Sequence, residues 1–303
     1  MTYVLFTLGL IALFFGGEFL VRGASAVARH FRLSPMVIGL TVVGFGTSAP
    51  ELLVSVQAAL AGQPSIAIGN VLGSNIANIL LIVGISAMIA PLVIPVKQLW
   101  RDLGFMLLAV TAIWIMLQDG NVSRLDSALL LVGMTAFLTT AFLTGKSEPE
   151  TGILLLPPQW KAWAMTIGGL VILVIGARLL VDNASIIARG FGVSEAVIGL
   201  TVVAVGTSLP ELATSIVAAI RGQTDIAVGN VVGSNIFNVF GILGVTAMIH
   251  PIAAEARFSA IDMPWVAGTA IVLTLMAVAL GRVPRLAGVA LLVAYAAYIG
   301  LMT

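Results

Sequence analysis

The chain of 303 residues is 60% hydrophobic and only 9% charged, with a formal net charge of +1 and a mean hydropathy of +1.14. Soluble domains carry about a quarter charged residues, so this composition defines an integral membrane protein and offers nucleic acid no basic surface. The absence of cysteine excludes disulfides and thiolate metal sites.

Taken in order, continuous apolar runs broken by Gly, Pro or charge predict helices near 3–21, 35–61, 65–90, 103–118, 127–144, 163–181, 195–220, 225–249, 264–280 and 286–302,. A bilayer-crossing helix takes about 20 mostly apolar residues, and the chain has room for roughly ten. The runs do not alternate and far exceed a barrel strand, which excludes a β-barrel. Met1 to Phe6 carry no Lys or Arg, so the first helix is expected to be retained despite the cleavage-like Ala24-Ser25-Ala26. Residues 146–161, with Lys146, Glu148, Pro149, Glu150, Pro157 and Pro158, are expected to form a short cytoplasmic linker between halves 1–145 and 162–303.

The halves are copies. An offset of 160 carries Glu51 onto Glu211, Ser34 onto Ser194, Ile38-Gly39-Leu40-Thr41 onto Ile198-Gly199-Leu200-Thr201, Gly73-Ser74-Asn75 onto Gly233-Ser234-Asn235, and Pro91 onto Pro251. Five helices separate equivalent points, an odd number, so the copies should cross the membrane in opposite senses. The expected fold is an all-α polytopic membrane protein of ten helices in two inverted five-helix repeats, the plan of secondary transporters whose sites lie near the midplane. With both termini outside, ten basic residues (Arg22, Arg29, Arg32, Lys97, Arg101, Lys146, Lys161, Arg221, Arg282 and Arg285) face the cytoplasm and only Arg124, Arg178, Arg189 and Arg257 lie opposite. The positive-inside rule favours that orientation.

The chemistry concentrates in Gly46-Thr-Ser-Ala-Pro-Glu51 and its copy Gly206-Thr-Ser-Leu-Pro-Glu211. A carboxylate at membrane depth is costly enough to mark a functional site. Pro50 and Pro210 have no N–H for the carbonyls of Gly46 and Gly206, so both motif helices should be broken there. Thr47, Ser48 and Glu51 crowd one face, as do Thr207, Ser208 and Glu211. Asn70, Ser74 and Asn78 form one stripe on the next helix, as do Asn230, Ser234 and Asn238. The donors are all oxygen, which suits Ca²⁺, and Na⁺ of similar size, and disfavours zinc or copper.

Other features read as structural. Gly69-xxx-Gly73 and Gly229-xxx-Gly233 are expected to be close-packing surfaces, and Asn75 and Asn235 to make interhelical hydrogen bonds. Glu18 and Arg178 are repeat-equivalent but lie towards opposite faces, so each is expected to snorkel to the interface. His250, beside Pro251, is expected in an interfacial loop.

With Gly69-Asn-Val-Leu-Gly-Ser-Asn75 and its copy, these motifs resemble the alpha repeats of the cation/calcium exchanger superfamily, best its prokaryotic sodium/calcium exchanger branch. The resemblance spans essentially the whole chain. It implies ion coordination by Thr47, Ser48, Glu51, Ser74 and Asn78, by Thr207, Ser208, Glu211, Ser234 and Asn238, and by the backbone carbonyls of Gly44 and Ala204. It also implies that the long first and sixth helices slide across the core. Where some members have Asp, this chain has Asn238, leaving a fixed charge of −2 from Glu51 and Glu211.

The expected function is therefore a Na⁺/Ca²⁺ antiporter, electrogenic and K⁺-independent. It would work as a monomeric unit in the cell (inner) membrane if prokaryotic, binding Ca²⁺ and Na⁺ as substrates with no cofactor. The linker is too short for the regulatory calcium-binding domains of animal exchangers. Two alternatives stand beside it: H⁺/Ca²⁺ exchange, since a buried Glu can carry a proton, and a calcium channel, which the repeat plan disfavours. No His or Lys base lies beside a plausible nucleophile at membrane depth, so an enzyme is not expected.

Overall fold

The computed structural model describes residues 1–145, 157–192 and 204–302. Most of the predicted linker, and the Ser194 and Ile198–Thr201 copies, lie outside the described residues. The described chain is helical: α1 (Thr2–His30), α2 (Pro35–Thr47), α3 (Ala49–Leu60), α4 (Pro64–Ile89), α5 (Val96–Asp119), α6 (Arg124–Thr144), α7 (Gln159–Gly190), α8 (Leu209–Ile220), α9 (Thr224–Ile249), α10 (Phe258–Leu280) and α11 (Arg285–Met302). Among the described residues, seven helices are long and apolar enough to cross a membrane, and the bent pair α2–α3 makes an eighth if taken as one span. The chain is thus a multi-pass membrane protein.

Three helices outrun their apolar stretches. α1 continues to His30 because Gly23 to Ala28 are small and buried, so packing sustains the helix after hydropathy falls. α5 begins at Val96 with Leu99 and Asp102 turned inward. α7 spans Gln159–Gly190, well beyond 163–181.

α4 and α9 form the centre, with 72% and 78% of their most apolar windows buried, against 28% for α7. Close approach at this centre depends on glycine. A Cβ on Gly233 would fall 2.1 Å from Leu40 O and one on Gly229 2.7 Å from Met36 O, so this GxxxG pair is where α9 meets α2. The repeat equivalents of Met36 and Leu40, Ala196 and Leu200, lie outside the described residues.

The long helices α1 and α7 pack along a second glycine seam. Gly9, Gly16 and Gly23 recur every seven residues, as do Gly169 and Gly176. A Cβ on Gly16 would lie 2.9 Å from Leu173 N, and one on Gly169 2.5 Å from Leu20 N. Side chains larger than hydrogen would force these backbones apart.

Short antiparallel clasps tie the connections across the halves. Strand β1 (Leu92–Val93) pairs with β4 (Arg282–Val283), and β2 (Asn121–Val122) with β3 (Ile252–Ala253). An offset of 160 carries β1 onto β3 and one of 161 carries β2 onto β4, so the first pairing is the image of the second.

Candidate cation-binding site

The break in the first motif helix falls at Ser48, whose φ of −85° and ψ of 9° end α2 and start α3 at a bend of 44°. Pro50 then occupies the first turn of α3, where its missing N–H costs nothing. Ser208, at φ −86° and ψ 6°, repeats the turn, with Pro210 in the first turn of α8. Each carboxylate, Glu51 and Glu211, thereby sits in the first turn of a helix, where exposed N–H groups and the helix dipole favour negative charge.

The two breaks meet face to face. Ser48 Oγ donates to Glu211 Oε1 at 2.7 Å, and Ser208 Oγ donates to Glu51 Oε1 at 3.3 Å. Each half thus supplies the hydroxyl that orients the other half's carboxylate. Both Glu residues are 1% exposed.

α4 and α9 brace these turns with amides. Asn70 Nδ2 donates to Glu51 O at 3.1 Å and Ser55 Oγ at 2.9 Å; Asn230 Nδ2 donates to Glu211 O at 3.3 Å and Ser215 Oγ at 3.0 Å. Thr47 Oγ1 lies 3.2 Å from Asn230 Oδ1 and 3.0 Å from Val43 O. Asn230 thus has both its amide nitrogen and its oxygen engaged between helices, and Asn70 its nitrogen.

Asn78 and Asn238 behave differently. Asn78 opens the wide turn Asn78–Val83 and Asn238 lies in the wide turn Phe237–Leu243, both π-helical, a geometry frequent at functional sites. Asn238 Nδ2 donates to Asn75 Oδ1 at 3.0 Å, and Asn75 Nδ2 to Asn235 O at 3.3 Å. Asn75 makes the expected interhelical bonds, whereas Asn235 Nδ2 bonds back to Val231 O of its own helix. Five buried oxygens at the motif positions have no hydrogen-bond partner: Glu51 Oε2, Glu211 Oε2, Asn78 Oδ1, Asn238 Oδ1 and Thr207 Oγ1. Buried polar atoms are nearly always satisfied, so such a set, contributed by both halves, marks a candidate cation cage.

The remaining sequence candidates lie around it. Ser74 and Ser234 are buried on α4 and α9. Ser234 Oγ donates to Gly44 O at 3.2 Å, and the same carbonyl accepts from Ser48 N at 3.2 Å. Gly44 O is thus occupied in this structure. A Cβ on Gly44 would lie 3.1 Å from Ser234 N, which explains the glycine. Ala204 opens a helical turn ending at Gly206. Among the described residues no three His, Cys, Asp or Glu converge, so the cage combines two charges with neutral oxygens.

The expectation that Glu18 snorkels to the interface is overturned. Glu18 is 7% exposed and accepts two hydrogen bonds from Arg221, Nε to Oε2 at 2.9 Å and a terminal nitrogen to Oε1 at 2.5 Å, with Arg22 Nε at 2.5 Å. Arg221 stands 203 positions away, beyond any local charge pattern. The seven-residue glycine repeat of α1 and α7 also escaped the sequence reading, although its period was visible. His250 Nδ1 lies 3.0 Å from Pro251 O at an exposed helix end.

The fold defines a multi-pass membrane protein, with a cluster of buried oxygens contributed by both halves at its centre. The chain matches the sodium/calcium exchanger protein family over residues 1–143 and 161–303, and it belongs to that family. CaxA of Alkalimonas amylolytica is 39% identical over 302 residues, 96% of this chain and 95% of that one. The sodium/calcium exchanger MaX1 of Methanosarcina acetivorans is 31% identical over 339 aligned positions, covering 98% and 97%. The structure of the sodium–calcium exchanger NCX_Mj superposes with a TM-score of 0.89 at 35% identity, covering 100% of this chain and 99% of that one.

Proposed function

We propose that this protein exchanges Na⁺ for Ca²⁺ across the membrane by alternating access, with Glu51 and Glu211 as the shared anionic centre. The observation that carries the reading is the set of unpartnered buried oxygens around two carboxylates. Two ionised carboxylates at this depth are unfavourable without a counter-cation, and oxygen ligands of this number and flexibility match Ca²⁺ or Na⁺. Family membership and the exchangers MaX1 and NCX_Mj support the same pair of ions.

The finer reading assigns coordination to Thr47, Ser48, Glu51, Ser74 and Asn78, to Thr207, Ser208, Glu211, Ser234 and Asn238, and to the carbonyls of Gly44 and Ala204 after release of their present donors. Ten spans form two inverted halves, 1–145 and 162–303, joined by a cytoplasmic linker, with both termini outside the cell membrane. One such chain suffices for transport. The reciprocal Ser48–Glu211 and Ser208–Glu51 bonds support the inversion, because each half meets the other through the same residues.

The test is Ca²⁺ uptake into proteoliposomes under opposed gradients. An outward Na⁺ gradient should drive ⁴⁵Ca uptake; an H⁺ gradient alone should not. Either Glu51→Gln or Glu211→Gln should abolish it. Uptake that follows only H⁺, or needs no counter-ion, would replace exchange of Na⁺ with one of the two alternatives.

A further inference from the structure

The surfaces flanking the site are parted in one half and in contact in the other, as the same residues viewed through the repeat show. A groove of about 260 Å³ runs between α7 and α3, lined by Leu53, Gln57, Ala177, Arg178, Asp182 and Thr207. Thr207, whose Oγ1 is one of the five unpartnered buried oxygens, lies at the inner end of this groove, so the groove approaches the site while the oxygens themselves stay buried. The 160-residue offset maps α7 onto α1 and α3 onto α8, and there the surfaces are in contact: a Cβ on Gly17 would lie 3.1 Å from Val217 Cγ2 and 3.3 Å from Ala213 O. Val217 and Ala213 are the images of Gln57 and Leu53, and Gly17 of Ala177. The groove and the closed contact are one place in two states.

The closed contact is fastened. Glu18 on α1 holds Arg221 at the end of α8 through two hydrogen bonds, and Ser25 Oγ two turns further on donates to Gln223 Oε1 at 2.6 Å. On the open side the ion pair has no counterpart, since Glu18 maps onto Arg178 but Arg221 maps onto Ala61. Arg22, which also meets Glu18, maps onto Asp182, so the charges are exchanged as well.

We propose that the Glu18–Arg221 pair is a one-sided latch. It holds α1 against α8 on the face where α1 ends, and so sets the resting equilibrium of the transporter towards the state with the α3–α7 groove open. The latch rests on the alternating-access reading above, since it must break whenever the site opens to the other side. The glycine seam makes α1 and α7 one packed unit, so releasing α1 from α8 and seating α7 on α3 are a single event. Glu18 and Arg221 touch no cage oxygen in the structure and act as positioning residues.

The cysteine-free sequence permits a direct test. Gln57→Cys reports the groove and Val217→Cys the closed contact, each read by its rate of reaction with a charged methanethiosulfonate in ion-free detergent solution. In the unaltered background Gln57→Cys should react fast and Val217→Cys slowly. Arg221→Gln should raise the Val217→Cys rate and lower the Gln57→Cys rate, changing their ratio by about tenfold, the effect of a 1.4 kcal/mol shift in a two-state equilibrium. Combining Glu18→Arg with Arg221→Glu should restore the original ratio. Ala61→Glu, which gives Arg178 a partner, should move the ratio the same way as Arg221→Gln although it loosens nothing. An unchanged ratio in Arg221→Gln, or both rates rising together without rescue by the swap, would overturn the latch. Failure of the exchange reading shows separately, as loss of Na⁺-driven ⁴⁵Ca uptake in the unaltered protein.

Discussion

On the proposed exchange, Asn238 decides how charge moves with the cargo. Its Oδ1 is an unpartnered buried oxygen, held in place because its Nδ2 is committed to Asn75. With an amide here the cage carries −2 from its two carboxylates, so one Ca²⁺ leaves it neutral and roughly three Na⁺ leave it at about +1. The membrane potential, worth about 2.3 kcal/mol per charge per 100 mV, then acts on the Na⁺-loaded step and spares the Ca²⁺-loaded one. Asn238→Asp adds a third carboxylate and reverses the assignment. Ca²⁺/Ca²⁺ exchange measured with ⁴⁵Ca should be indifferent to an imposed potential in the unaltered protein and should become potential-dependent in Asn238→Asp. Potential-dependent Ca²⁺/Ca²⁺ exchange in the unaltered protein would mean that the cage holds a charge other than that of Glu51 and Glu211.

At the scale of the helices, the glycine seam between α1 and α7 carries a sharp prediction because neighbouring glycines differ. Gly169 would place a Cβ 2.8 Å from Gly16 O, whereas Gly168 has no atom within 4 Å. Gly169→Ala must therefore push two backbones apart, which costs about 1–3 kcal/mol by overpacking, while Gly168→Ala should be neutral or slightly stabilising as alanine favours the helix. Thermal unfolding in detergent, followed by loss of monodisperse protein, should separate the two variants; equal melting would refute the seam. The same helices mark where the sequence stops being legible. Glu51, Glu211 and their hydroxyl neighbours stand out because an apolar background makes every polar residue conspicuous, and the repeat announces that they belong together. The ends of α1, α5 and α7 do not stand out, because hydropathy measures preference for lipid and these ends are held by burial of small or polar residues such as Ala28 and Asp102. The Glu18–Arg221 pair is invisible for a different reason: its partners are joined only by the fold.

For the whole molecule, the proposed exchange would carry a current if about three Na⁺ move for each Ca²⁺, the ratio that the family resemblance implies. At that ratio of roughly three Na⁺ leaving for each Ca²⁺ entering, each cycle would remove about one positive charge from a Na⁺-loaded vesicle. The interior becomes negative until the potential opposes further Na⁺ exit, and uptake should stall early. A route for compensating charge should relieve the stall, so K⁺ on both sides together with valinomycin should raise the initial rate and the extent of ⁴⁵Ca uptake. K⁺ without the ionophore should do nothing, because the cage has no third carboxylate to hold another cation beside Ca²⁺ and Na⁺. The two conditions separate the claims: stimulation by K⁺ alone would make K⁺ a transported ion, and no stimulation by valinomycin would make the cycle electroneutral. The latter outcome would require two Na⁺ per Ca²⁺ and a cage at −2 that is neutral with either load, so it would revise the stoichiometry while leaving Glu51 and Glu211 at its centre.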